Sequence, residues 1–167
     1  MLAELCQKAV FSGLQTGYVL MVSSILCVCT GNICRSPVAE AALREALPDV
    51  AVTSAGLHAL VGRDINTDSA EAAREQGILL LPHAARQFTS QLGEQAELIL
   101  VMDQDHRDEI IRRWPQFSGK TMLLGYFENS KSIPDPYRMG MGMHQRAIEM
   151  IRESVPHWVQ QLAAMRG

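Results

Sequence analysis

No cysteine follows Cys34 in this chain of 167 residues, and all four cysteines (Cys6, Cys27, Cys29 and Cys34) fall in its first 34 residues. Nothing downstream can complete a Cys/His zinc pattern, so neither a metal nor another cofactor is expected. The pattern offers no disulfide framework either, which points to a reducing compartment, the cytoplasm. A dense run of Lys and Arg is also missing, and the net charge is −3. Nucleic acid and anionic membranes are therefore not expected as partners. No stretch is long and apolar enough to span a bilayer, and no basic segment leads into an apolar one as a secretory signal requires. Membrane insertion is not expected. Internal repeats, low-complexity tracts and linkers are absent as well.

The chain does have 47% apolar and 20% charged residues, which suits one soluble globular domain with a core of its own. Leu2, Leu5, Cys6, Ala9 and Gly13 follow helical spacing, interrupted by Glu4 and Lys8. Residues 1–20 read as an extension upstream of a natural start at Met21, with a single domain over 21–167.

Short apolar runs predict strands near Ser24–Val28, Ala51–Ser54, Leu98–Met102 and Thr121–Leu124. Helical patterns follow near Pro37–Leu47, Thr67–Gln76, Asp105–Arg113 and Met143–Ala164, with a further short helix after a Thr89 cap. Asn66 is a candidate N-cap, Gly77 a helix stop, and Pro37 a first helical residue. Pro156 predicts a kink or break in the last helix. Cys27 is read as core, facing the opposite side of its strand from Cys29. Strands alternating with helices imply an α/β fold: a parallel sheet covered on both faces, with ligands beyond the strands' carboxyl ends.

One loop lies where that rule puts a ligand. Cys29-Thr30-Gly31-Asn32-Ile33-Cys34-Arg35-Ser36 joins the first strand to a helix opened by Pro37. A strand, a tight loop and a helix N-terminus aim backbone N–H groups into one bowl, and the helix dipole adds positive charge. Such a bowl suits a tetrahedral oxyanion. A thiol at its base implies phosphoryl transfer through a cysteinyl-phosphate.

The string Gly31-Asn32-Ile33-Cys34-Arg35-Ser36-Pro37 and the late Asp135-Pro136-Tyr137 strongly resemble the low-molecular-weight protein tyrosine phosphatases. Ser54-Ala55-Gly56 and Val101-Met102-Asp103 are family-like too, and the likeness runs from about Ser23 to the C-terminus. The resemblance implies a four-stranded parallel sheet in the order 2-1-3-4.

It also implies roles. Cys29 is the expected nucleophile, favoured as a thiolate by the amides, the helix N-terminus and a cation. Arg35 is expected to grip two phosphate oxygens with its planar fork. Ser36 would donate to the Cys29 thiolate, or act only as a helix cap. Asn32 would brace the loop in a left-handed conformation, and Thr30, Gly31, Ile33 and Cys34 complete the phosphate-binding loop. Asp135 is the expected general acid, then base, held in a loop stiffened by Pro134 and Pro136. Cys34 has a redox role in the family, forming a reversible disulfide with the nucleophile; simple packing is the alternative.

Tyr137 and Leu60 are the expected walls of the substrate cleft. Many eukaryotic members carry an aromatic where this chain has Leu60, and the segment here is one residue shorter. That departure, with His83-Ala84-Ala85-Arg86-Gln87, resembles a Gram-negative subgroup tied to exopolysaccharide and capsule export. The implied partner is a tyrosine-phosphorylated protein, a membrane tyrosine autokinase, met by a monomer or weak dimer. His58 and His83 are read as surface or capping residues.

Three other functions compete. Protein arginine phosphatases share Cys-Thr-Gly-Asn but carry threonine at the position of Ile33, so Thr30 keeps that reading open. Arsenate reductases need a later cysteine relay, which this chain lacks. A non-catalytic phosphoprotein-binding module usually loses the nucleophile, the arginine or the acid, and Cys29, Arg35 and Asp135 are all present.

Overall fold

A computed structural model describes residues 22–165. The extension expected over residues 1–20 and the start expected at Met21 lie outside the described residues. Four strands form one sheet: β1 (Ser24–Cys29), β2 (Ala51–Gly56), β3 (Leu98–Val101) and β4 (Thr121–Leu123). Their order is β2-β1-β3-β4, with every neighbouring pair parallel. This is the 2-1-3-4 order that the resemblance implied.

Side-chain alternation along β1 sorts the core into two halves. Ile25, Cys27 and Cys29 face a layer of three helices: α1 (Arg35–Ala46), α2 (Thr67–Glu75) and α5 (Met141–Ala164). Leu26 and Val28 face the other layer, with α3 (Ser90–Gln95), α4 (Gln104–Arg113) and a 3-10 turn at Pro115–Lys120. Cys27 is core, as expected, but it shares a face with Cys29. Residues two apart on a strand point the same way, so the expectation of opposite faces was wrong.

The helix boundaries follow their local chemistry. Asn66 caps α2 by accepting hydrogen bonds from the N–H groups of Asp68 and Ser69, and Gly77 leaves the helix at φ +77°. The Thr89 side chain caps α3 through Leu92 N–H. Helix α1 starts at Arg35, two residues before the expected Pro37. Pro37 still falls in the first turn, where a missing N–H breaks no intrahelical bond. Pro156 does not break α5, which is helical from Met141 to Ala164. Pro156 and Arg152, whose carbonyl loses its partner, are both on the exposed side of the helix, where water can serve. On the opposite side, Trp158 donates from Nε1 to the Leu124 carbonyl at 2.7 Å.

Among the described residues no helix is long and apolar enough to cross a membrane.

Candidate active site

The Cys29–Ser36 loop leaves β1 at its carboxyl end and enters α1 without a side-chain cap. Its shape is imposed from outside. The carbonyls of Cys29, Thr30, Gly31 and Ile33 accept from the N–H groups of Leu57, His58, Leu60 and Asn66, at 2.7–3.0 Å. The Asn32 carbonyl accepts from His83 Nε2 at 2.7 Å. In a trans peptide the N–H points opposite to the preceding C=O, and no described peptide is cis. Five carbonyls turned outward therefore aim the N–H groups of residues 30–34 inward. The Asn32 N–H meets Cys29 Sγ at 3.3 Å.

The turn is closed by Asn32, fully buried at φ +56°, a conformation Asn tolerates. Its side chain is saturated. Nδ2 donates to Ser36 Oγ and Ser54 Oγ, both at 2.9 Å, and Oδ1 accepts from the Arg86 N–H at 2.9 Å. Gly56 makes the close packing feasible, since a Cβ there would sit 2.5 Å from the Thr30 carbonyl oxygen.

Ser36 lies inside α1 rather than capping it, and its Oγ is 2.9 Å from Cys29 Sγ. The other two described thiols are held protonated. Burial pushes Cys27 well up, helped by Glu40 and Cys29. Burial also raises Cys34 to about 11, with Cys29 and Asp135 adding to it against Ser69 and Arg35. Cys34 packs with Ile33 and Ala85.

Arg35 is only 2% exposed, yet it carries a full charge. Nη1 donates to Asp103 Oδ2 at 2.9 Å and to the Ile133 carbonyl at 3.0 Å, and Nη2 pairs with Asp135 Oδ2 at 3.0 Å. Nε is buried with no partner. An orphaned buried donor costs about 1–3 kcal/mol, and an oxyanion in the bowl would relieve it.

Asp103 is the residue that the sequence reading left without a role. It follows β3, caps α4 by accepting from the His106 N–H at 2.9 Å, and grips Arg35 with its other oxygen. Burial alone would raise its carboxyl, but His106 and Arg35 outweigh that and bring it down to about 2. The His106 ring also reaches Thr30 Oγ1, with Nε2 at 2.9 Å.

The Asp135 loop is tied to the same centre. Ile133 N–H donates to the Met102 carbonyl at 2.8 Å, and Asp135 Oδ1 accepts from the Tyr137 N–H at 3.1 Å. Tyr137 is 40% exposed and Leu60 38% exposed, and Leu60 lies beside Gly31. His58 is on the surface beside Glu109, as expected. His83 is not a mere surface or capping residue, because it braces the loop at Asn32.

Cys29, Arg35 and Asp135 thus meet at one loop, at the carboxyl ends of β1 and β3. The sequence profile of the family described as "Low molecular weight phosphotyrosine protein phosphatase" matches residues 24–166. The chain belongs to that family. Among phosphatases of this family, Etp of Escherichia coli (strain K12) is 40% identical over 86% of this chain and 97% of its own length. The crystal structure of the tyrosine phosphatase Wzb from Escherichia coli K30 in complex with sulphate matches with a TM-score of 0.82 at 41% identity, over 85% of this chain and 99% of that one. The YwlE arginine phosphatase from Geobacillus stearothermophilus has the same fold at 31% identity, with a TM-score of 0.79 over 85% of this chain and 94% of that one.

Proposed function

We propose that this phosphatase hydrolyses phosphotyrosine in proteins by a two-step displacement at Cys29. The observation that carries this reading is the buried Arg35, which pairs with Asp135 at 3.0 Å and keeps an unpartnered Nε beside the loop. Cys29 Sγ attacks phosphorus, the bond to the phenol oxygen breaks, and Asp135 protonates that oxygen. Asp135 then takes a proton from a water that attacks the cysteinyl-phosphate, and the thiolate leaves. The inward amides of residues 30–34 and the Arg35 fork stabilise the phosphoryl oxygens through both steps. Ser36 assists the departing sulfur. Leu60 and Tyr137 flank the entrance, where a flat aromatic ester is better matched than a short serine ester. Cys34, held as a thiol, serves as a packing residue at neutral pH and is slow to resolve an oxidised Cys29.

Replacing Asp135 by alanine is expected to slow phosphoenzyme formation by about 10²–10³-fold for an aryl phosphate with a poor leaving group. The loss shrinks as the leaving group improves, and rapid-quench single turnovers across a series of phenols measure it. A loss independent of the leaving group would remove Asp135 as the acid.

The arginine phosphatase reading is weakened by two side chains. Thr30 has its hydroxyl engaged by His106, and Ile33 is aliphatic and buried. Matched phosphotyrosine and phosphoarginine peptides are expected to differ in kcat/KM by about a hundredfold or more in favour of phosphotyrosine. The reverse order would overturn the substrate assignment and leave the chemistry at Cys29 standing.

The physiological partner proposed is a tyrosine-phosphorylated membrane autokinase of exopolysaccharide or capsule export, met in the cytoplasm. The segments His58–Gly62 and His83–Gln87 support it through their likeness to the Gram-negative subgroup.

A further inference from the structure

Six large hydrophobic side chains are left exposed among the described residues: Leu60, Val61, Leu79, Leu81, Tyr137 and Met139. Leu60, Val61, Tyr137 and Met139 lie in the two segments that wall the substrate entrance. Leu79 and Leu81, 73% and 50% exposed, lie in neither segment. Apolar surface of this kind marks a place where something binds.

Both leucines belong to the stretch Ile78–Pro82, which leads from the end of α2 to His83. Ile78 is buried and Leu80 packs against the core, so alternate side chains point in and out, as along a strand. Yet the stretch belongs to no sheet, and among the described residues the N–H and C=O groups of Leu79, Leu80 and Leu81 have no backbone partner. A groove of about 430 Å³ runs beside it, lined also by Asp64, Ile65 and Arg74. Asp64 and Ile65 continue the segment of Leu60 and Val61, so the groove is continuous with the wall of the substrate entrance. Asp64 Oδ1 is engaged by the Ile65 N–H at 2.7 Å. Arg74 has no carboxylate partner among the described residues.

We propose that this groove receives the substrate's own polypeptide on one side of the phosphotyrosine, laid in extended form along Leu79–Leu81. The inference rests on the phosphotyrosine reading above. An extended chain can hydrogen-bond to an unpaired strand through its backbone while alternate side chains settle against the surface. The exposed leucines select apolar residues at every second position, and Arg74 selects an acidic residue among them.

The test compares two phosphotyrosine peptides with armless phosphotyrosine. Each carries an arm of about six residues, roughly 20 Å when extended, on the N-terminal or the C-terminal side. The arm alternates leucine with polar residues and includes one glutamate. One of the two is expected to exceed the armless substrate in kcat/KM by about tenfold. In the full chain carrying Leu79→Ser and Leu81→Ser that gain should vanish, while kcat/KM for p-nitrophenyl phosphate stays within about twofold. Arg74→Gln should remove about threefold of the gain, and only when the arm contains glutamate. No gain with either arm overturns the proposal. So does a gain that survives the double substitution, or a double variant that loses p-nitrophenyl phosphate hydrolysis in step. Sedimentation checks the rival occupant: wild type and double variant should sediment alike, and a wild-type dimer that the double substitution dissociates would give the groove to a second copy instead. Failure of the underlying reading looks different, with phosphoarginine peptides hydrolysed faster than phosphotyrosine peptides whether armed or not.

Discussion

Replacing Cys29 by serine reduces hydrolysis of p-nitrophenyl phosphate by about ten-thousandfold or more while inorganic phosphate still binds. The reason lies in what surrounds the sulfur. Its polar contacts are Ser36 Oγ at 2.9 Å and the Asn32 N–H at 3.3 Å. Both stabilise an anion, and neither can accept a proton from a hydroxyl. A serine hydroxyl holds its proton far more tightly than a thiol, and no general base stands beside this position to remove it. The phosphate site survives because it is built from backbone amides and Arg35, which the substitution does not touch. Initial rates and titration calorimetry with phosphate check the two halves separately. Activity within about tenfold of the wild type would mean that another group attacks phosphorus.

The second large effect is expected at Arg35. Arg35→Lys should lower kcat/KM by about a thousandfold and also lower the unfolding free energy by about 1–3 kcal/mol. The guanidinium holds three partners in two segments at once: Asp103 after β3, and the Ile133 carbonyl and Asp135 in one loop. An ammonium is a point charge and cannot hold two phosphate oxygens and three partners in one plane. The stability loss has a pH dependence of definite sign. Asp103 is held down to about 2, below the ordinary carboxylate value of about 3.9. Its contribution is therefore present above that ordinary value and lost as the pH falls through about 2. His106 does most of the lowering and Arg35 the remainder, so without the guanidinium the loss begins at only slightly higher pH, and acid unfolding should differ less between variant and wild type than unfolding in urea at neutral pH. Full activity with lysine would show that bidentate binding is not used.

These two residues were legible in the sequence because both fall in one short loop. Cys29, Asn32, Arg35 and Ser36 sit in one loop, and the residue types alone restrict the chemistry. Asp135 was legible only through the resemblance, since Pro-Asp-Pro by itself is an ordinary turn. Asp103 and Ser54 were not read as functional. Their roles come from parallel strand register, which sets β2 and β3 on either side of β1 without any local sequence cue. His83 was missed for the same reason: it reaches the loop from 51 residues away. The helix is not broken at Pro156 because the carbonyl left without a partner faces solvent. The strand order followed from the family likeness. The alternation of strands and helices gave the parallel sheet but could not rank its strands.

The outward carbonyls of Cys29 to Ile33 have a thermodynamic consequence. Ordering a free backbone costs about 1–2 kcal/mol per residue. A loop left mobile until its ligand arrived would lose that amount from its affinity at each of several residues. Here the segment from Leu57 to Asn66, together with His83, fixes the loop during folding. The entropy is surrendered before any phosphate approaches, so the contacts that phosphate makes count almost fully toward binding and toward the barrier.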